Sequence, residues 1–220
     1  MKVNILKILC IIFPLLFPTI GYSQTDTDLT KWELLGVGKI EIDREVNAFK
    51  LVEGNNSKGV VLLSPKKYSK DVKISFDVKP LQFEGVCIIF PSVTDSNLKS
   101  VTAPENYDGN SNFWTSLKSG VKSYAVAFHT GYHQPNIFIK KNPGWKSLGE
   151  IKDVATEEQW YKIEIIKKNN LIILKIDGNI VLESKDESGD FLKEGQIGLR
   201  LRGPGNGSSS ILFNNLIISR

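Results

Sequence analysis

The chain has 220 residues, 41% of them hydrophobic, and carries 28 Lys and Arg against 24 Asp and Glu. So mild a positive balance excludes the concentrated basic face that general nucleic-acid binding requires. The length suffices for one sizeable apolar core, and a single domain is expected.

The first residues have the three parts of a secretory signal peptide. Lys2 and Lys7 open it, and residues 8–17 form an apolar stretch too short to span a bilayer comfortably. Gly21 and Ser23 then place small side chains three and one positions before Gln24. Residues 1–23 are therefore expected to be removed, leaving 24–220 as one secreted or periplasmic domain without membrane attachment. Cleavage removes two lysines and no acids, so the net charge falls from +4 to +2 (26 minus 24). Cys10 leaves with the signal; it lies too early, and lacks the small-residue approach, for a lipid-attachment cysteine. Cys87 is then the sole cysteine and, within Val86-Cys87-Ile88-Ile89-Phe90, reads as a buried thiol.

Strands are expected at 39–43, 48–52 and 60–63. Period-two alternation is clearest where Val72, Ile74, Phe76 and Val78 interleave with Lys73, Ser75, Asp77 and Lys79. A further strand is expected at 86–90. Between Pro91 and Gly120 lies a long polar stretch holding Tyr107, Phe113 and Trp114, which predicts an ordered loop over a ligand face. Strands resume at 124–128 and 136–140, and Tyr161, Ile163 and Ile165 mark another. Asp177-Gly178 joins apolar runs at 171–176 and 179–183, a strong hairpin signal. Two final strands are expected at 196–202 and 211–219, with Gly203-Pro204-Gly205-Asn206-Gly207 read as a hairpin loop between them. The only helical expectation is one turn at 154–159. About a dozen short strands imply an all-β sandwich or barrel.

The order Trp160-Tyr161-Lys162-Ile163-Glu164-Ile165, Lys175-Ile176-Asp177-Gly178, Gly195-Gln196-Ile197-Gly198-Leu199-Arg200 and Phe213-Asn214-Asn215-Leu216 resembles the closing strands of the concanavalin-A-like lectin/glucanase superfamily. Upstream, residues 124–129 followed by Ile139-Lys140-Lys141-Asn142-Pro143-Gly144 are similar to its YesU-type branch of secreted bacterial proteins. The resemblance implies a two-sheet antiparallel jelly-roll sandwich with glycan held in a concave groove. It implies a place in polysaccharide breakdown without implying catalysis, because lectins, binding modules, hydrolases and lyases share the scaffold.

Two constellations are candidates for chemistry. Glu41, Asp43 and Glu45 have the Glu-x-Asp-x-Glu spacing of laminarinase-type hydrolases, in which outer carboxylates act as nucleophile and acid/base. They fall in the first expected strand rather than a central one, however, and with Ile40 and Ile42 buried they read rather as an ordinary solvated face. The second constellation comes from strand parity. If Ile197, Leu199 and Leu201 face the core, then Gln196, Gly198, Arg200 and Arg202 face outward. On the same logic Tyr124, Val126 and Phe128 point in, while Ala125, Ala127 and His129 point out. Ile137 and Ile139 inward leave Asn136, Phe138 and Lys140 outward.

If these strands share a sheet, His129, Lys140, Arg200 and Arg202 converge beside Tyr132, His133 and Trp145. Such a face suits a carbohydrate that is anionic or heavily hydroxylated. Arginine forks meet carboxylate or sulfate, and Trp145 or Trp114 stacks on a ring. His129 with Tyr132 would supply the acid/base pair of a lyase.

No essential metal or cofactor is expected. Calcium would be consistent with the superfamily, and Asp95, Asp108 and Asp177 fall in loops, but none forms a recognisable calcium loop. The readings left open are a binding module, a glycoside hydrolase or polysaccharide lyase on the same face, and a structural or adhesive surface domain.

Overall fold

A computed structural model describes residues 28–81, 85–130, 136–152, 156, 158–206 and 209–220. The expected signal segment, and residues 154, 155 and 157 of the expected turn at 154–159, lie outside them. After a 3-10 turn at Leu29–Lys31 come β1 (Glu33–Gly36), β2 (Gly38–Asp43), β3 (Ala48–Glu53), β4 (Val60–Tyr68), β5 (Val72–Pro80) and β6 (Val86–Asp95). One helical turn, α1 (Asn112–Thr115), precedes β7 (Val121–Thr130), β8 (Asn136–Asn142), β9 (Lys146–Lys152), β10 (Tyr161–Lys168), β11 (Leu171–Ile176) and β12 (Asn179–Lys185). The chain ends in β13 (Gly195–Arg202) and β14 (Ser210–Ser219).

The strands form two antiparallel seven-stranded sheets, ordered β1-β4-β13-β6-β7-β8-β9 and β12-β11-β10-β5-β14-β3-β2. The alternation implied an all-β sandwich or barrel and the resemblance a two-sheet sandwich, and the sandwich is what forms. In β5 the apolar positions are buried and the intervening polar ones half-buried. Its partner β10 sets Ile163 opposite Phe76 and Ile165 opposite Ile74. Facing them from the first sheet are Tyr124, Val126, Phe128, Ile137, Ile139, Ile197, Leu199 and Leu201, all in one buried cluster. Each large apolar side chain so placed contributes about 1.5–3 kcal/mol. Cys87 is buried in the same layer, and burial pushes its thiol up to about 12, which leaves it unreactive.

The Asp177-Gly178 hairpin forms as expected, with φ of 51° and 83°, the positive pair a tight primed turn requires. Other expectations need correction. The loop expected at 203–207 is no hairpin: β13 belongs to the first sheet and β14 to the second, so the chain crosses between layers after Arg202. Gly203 donates its N–H to the buried Glu53 Oε2 at 2.8 Å, tying this crossover to the end of β3. The sixth strand runs past Pro91 to Asp95, because pairing with β7 skips from Ile89 to Ser92 and the irregularity accommodates a residue with no N–H. Ile42 is 58% exposed rather than buried, since β2 is the outermost strand of the second sheet.

Beneath the first sheet a buried polar cluster locks the layers together. Tyr124 donates from its hydroxyl to Asp186 Oδ2 at 2.6 Å, and Lys141 Nζ approaches the same oxygen at 2.8 Å. Ser188 N–H bonds to the other carboxylate oxygen at 3.0 Å. Thus β7 and β8 of one sheet are fixed to the segment that follows β12 of the other.

Candidate functional site

The outer face of the first sheet is where a second apolar cluster and a cleft lie. Cross-strand pairing draws one continuous row over five strands: Arg200 on β13 opposes Ile88 on β6, which opposes Ala127, then Phe138, then Glu150. Outward side chains of this row and its neighbours line a cleft of about 640 Å³. Its floor is Val86, Ile88, Phe90 and Phe138, and its polar groups are Asn136, Lys140, Glu150, Arg200 and Arg202, with Ser111 and Thr115 on one wall. The size and the mixture of an apolar base with a few polar groups are those of a small-ligand site.

The wall is the segment between β6 and β7. Trp114 stacks on Phe90 with ring centroids 5.0 Å apart, and Phe113 meets it edge-on at 4.9 Å. Trp114 Nε1 donates to the Tyr107 hydroxyl, which in turn donates to the Asn110 carbonyl at 3.1 Å. Burial raises the Tyr107 hydroxyl pKa, so it stays protonated. Residues 107–110 then pass against 58–59. Gly109 and Gly59 sit at positive φ, and a Cβ on Gly109 would lie 1.8 Å from the Gly59 oxygen. Only glycine permits that approach. Lys58 N–H donates to the Asp108 carbonyl at 2.9 Å, and its ammonium pairs with the Asp108 carboxylate at 2.7 Å.

Arg200 secures the junction from below. Its Nη2 donates to the carbonyls of Lys58 (3.1 Å) and Gly109 (2.8 Å). The residue is only 3% exposed, and burial lowers its pKa to about 10, which leaves it cationic at neutral pH. Its Nε has no hydrogen-bond partner, and neither Arg200 nor Arg202 has a carboxylate within ion-pair distance among the described residues.

At the opposite rim, the β8–β9 turn presents Trp145. This bulky residue is held at φ 54°, a left-handed conformation that costs about 1–3 kcal/mol and clusters at functional sites. Its ring meets Phe138 edge-on at 5.3 Å, and Lys140 Nζ lies 5.8 Å from its centroid. Lys140 also pairs with Glu150 at 3.3 Å, and Asn136 Nδ2 donates to the same carboxylate at 2.5 Å.

Over residues 21–210 the sequence matches the family model described as Domain of unknown function (DUF1961). The chain belongs to the DUF1961 family. A comparison with curated proteins found no match. Among solved structures, the DUF1961 chain is similar to a protein of unknown function with a galectin-like fold from Bacillus subtilis, at TM-score 0.77 and 16% identity, covering 89% of this chain and 91% of that one. It is also similar to the carbohydrate-binding module CBM66 from Bacillus subtilis, at 0.60 and 14%, covering 86% and 96%. The potassium-bound carbohydrate recognition domain of Emp46p aligns at 0.58 and 12%, covering 86% and 88%. At these identities the likeness establishes the fold, a galectin-like two-sheet sandwich.

Of the residues singled out from the DUF1961 sequence, Lys140, Trp145, Arg200, Arg202 and Trp114 all line the one cleft. His129, whose backbone closes β7, has its side chain outside the described residues, as do Tyr132 and His133. Two expectations change on contact with the geometry. Trp114 is 1% exposed and packed among Phe90, Phe113 and Tyr107, so it holds the wall rather than offering a face for stacking. Arg200 faces outward as parity requires, but the loop above it engages its Nη2, leaving Arg202 as the more open of the pair.

Glu41 and Glu45 are not in the cleft. They belong to the edge of the second sheet, where exposed Glu41 pairs with Lys39 and the strand stops at Asp43. Asp43 Oδ1 then accepts from the Glu45 N–H at 3.1 Å, so the three carboxylates share no strand face.

Asp95, Asp108 and Asp177 are far apart in the topology, each bonded to a local N–H or lysine. Among the described residues no group of three or more His, Cys, Asp or Glu could hold a metal ion.

Sequence reasoning missed Glu150, because β9 was not recognised. Its apolar residues Leu148 and Ile151 are three apart, since pairing with β8 skips a residue between Gly149 and Ser147. The turn Asn142-Pro143-Gly144 was the signal that a returning strand follows.

Proposed function

We propose that this DUF1961 protein is an exported carbohydrate-binding domain that holds an anionic glycan in the outer cleft of its first sheet and serves polysaccharide breakdown. The observation that carries the reading is Trp145. It is an aromatic ring held in a costly conformation at the rim of an apolar-floored cleft, beside Lys140, Glu150 and Asn136. A ring face next to hydrogen-bonding groups is the chemistry that grips a sugar, whose two sides are C–H and O–H. Arg202 and the unpaired Nε of Arg200 favour a carboxylate or sulfate on that sugar. The likeness to a carbohydrate-binding module and a carbohydrate recognition domain supports the same reading. The signal-like residues 1–23 support a secreted or periplasmic location.

Binding is favoured over hydrolysis because glycoside cleavage requires two carboxyl groups flanking the bond. Among the described lining residues Glu150 is the sole acid, and its carboxylate is engaged by Lys140 and Asn136. The test is affinity electrophoresis of the mature protein, from Gln24, in gels containing neutral or acidic polysaccharides, with assays for released reducing and unsaturated ends. Retardation by acidic polymers without new ends supports the proposal. Released ends make the protein an enzyme, and unretarded migration in every gel refutes glycan binding.

A further inference from the structure

The cleft is closed on two sides by the protein's own chain, and this decides how a polymer can enter it. On the side toward β4, residues 107–110 are pressed onto 58–59 by the Gly59–Gly109 contact and the Arg200 bonds. Toward the end of β8, the Thr115 carbonyl at the end of α1 accepts from the Gly144 N–H at 2.8 Å, joining the wall to the turn that carries Trp145. Leu63, Val93, Val121 and Ala125, which would continue the outer face in that direction, are buried under the same segment. A chain can therefore run through neither along the strands nor across them toward β4.

We infer that the cleft receives the terminal residue of an acidic glycan, not an internal stretch of it. The anionic group of that residue is directed inward to Arg202 and toward the buried charge of Arg200, while its ring rests against Trp145. Arg200 supplies the observation that points to a ligand: a buried cation lining the cleft, with one N–H donor unpaired. In the interior such a donor is costly unless something accepts from it. This inference rests on the glycan-binding reading above, and the experiment separates the two.

Polygalacturonate, alginate and chondroitin sulfate, with neutral dextran and laminarin beside them, are each prepared as polymer and as size-fractionated fragments, and titrated calorimetrically into the mature protein. For whichever binds, the inference predicts one protein per chain end of the recognised type, with Kd per chain constant as length grows. Arg202→Gln then weakens binding about tenfold, the scale of one charge-assisted contact, while the melting temperature holds. A count of bound protein that rises in proportion to chain length overturns chain-end recognition but keeps glycan binding. Binding confined to neutral dextran or laminarin overturns the acidic terminus. No heat with any polymer overturns both readings.

Discussion

Arg200 Nη2 donates a 2.8 Å hydrogen bond to the carbonyl of Gly109, joining the middle of the first sheet to a loop 91 residues earlier in the chain. The same nitrogen reaches the Lys58 carbonyl, so one side chain holds two loops that no strand connects. Lysine could donate twice from its single nitrogen, but its flexible stem does not hold that nitrogen in place as the planar guanidinium does. Arg200→Lys is expected to destabilise the fold by about 1–3 kcal/mol, the cost of buried groups left unpaired. Urea denaturation measures this, and limited proteolysis should show earlier cutting within 96–120.

Gly109→Ala tests the other half of that junction. At φ +89°, with a Cβ 1.8 Å from the Gly59 oxygen, the loop must lift from 58–59. A loss of about 2 kcal/mol or more is expected, since both backbone strain and a backbone clash are involved. A mutant with wild-type stability would mean that the two loops do not meet as described.

Trp145 separates stability from function. Glycine tolerates the left-handed φ of 54° that tryptophan endures, so Trp145→Gly should leave the denaturation midpoint nearly unchanged or raised. Glycan binding should nevertheless fall at least about tenfold, the usual effect of removing an aromatic anchor. Parallel calorimetry and thermal melts read the two effects; retained binding would remove Trp145 from the site.

Acid should act through Asp186. Burial raises its pKa, but hydrogen bonds from Lys141, Ser188 and Tyr124 outweigh that and hold the carboxyl at about 2, below its ordinary 3.8. A depressed folded-state pKa gives stability that is complete above the unfolded value and disappears as pH falls from about 4 to 2. The contribution is roughly 2 kcal/mol. Asp186→Asn should therefore be less stable at neutral pH and should flatten the acid limb of the stability profile, measured by urea denaturation from pH 7 to 2.

Much of this was legible in the sequence because a strand has a strict period of two. Alternation in 72–78 and in 197–201 identified the buried faces, and parity put Arg200, Arg202, Phe138 and Lys140 on one outer surface once their strands were taken to share a sheet. Parity cannot say what covers a face. That is why Arg200 looked open to ligand when the loop above engages it, while Trp114 belongs to the covering segment and turns its ring down onto Phe90. Irregular pairing hid the remainder. Pro91 sits where β6 and β7 skip, and Leu148 where β8 and β9 do, so the strands there lost their period. The Glu-x-Asp-x-Glu spacing misled for a related reason: alternation requires the strand to continue, and β2 ends at Asp43.

The central claim is that the outer cleft of the first sheet holds glycan. It is tested most directly by hydrogen–deuterium exchange of the protein from Gln24 onward, with and without the acidic polysaccharide that retards it most. Protection confined to peptides covering 109–115, 136–150 and 200–202 is the predicted result. Protection around the exposed Trp160, beside Asp77 and Asn214 on the second sheet, or no protection anywhere, would contradict it.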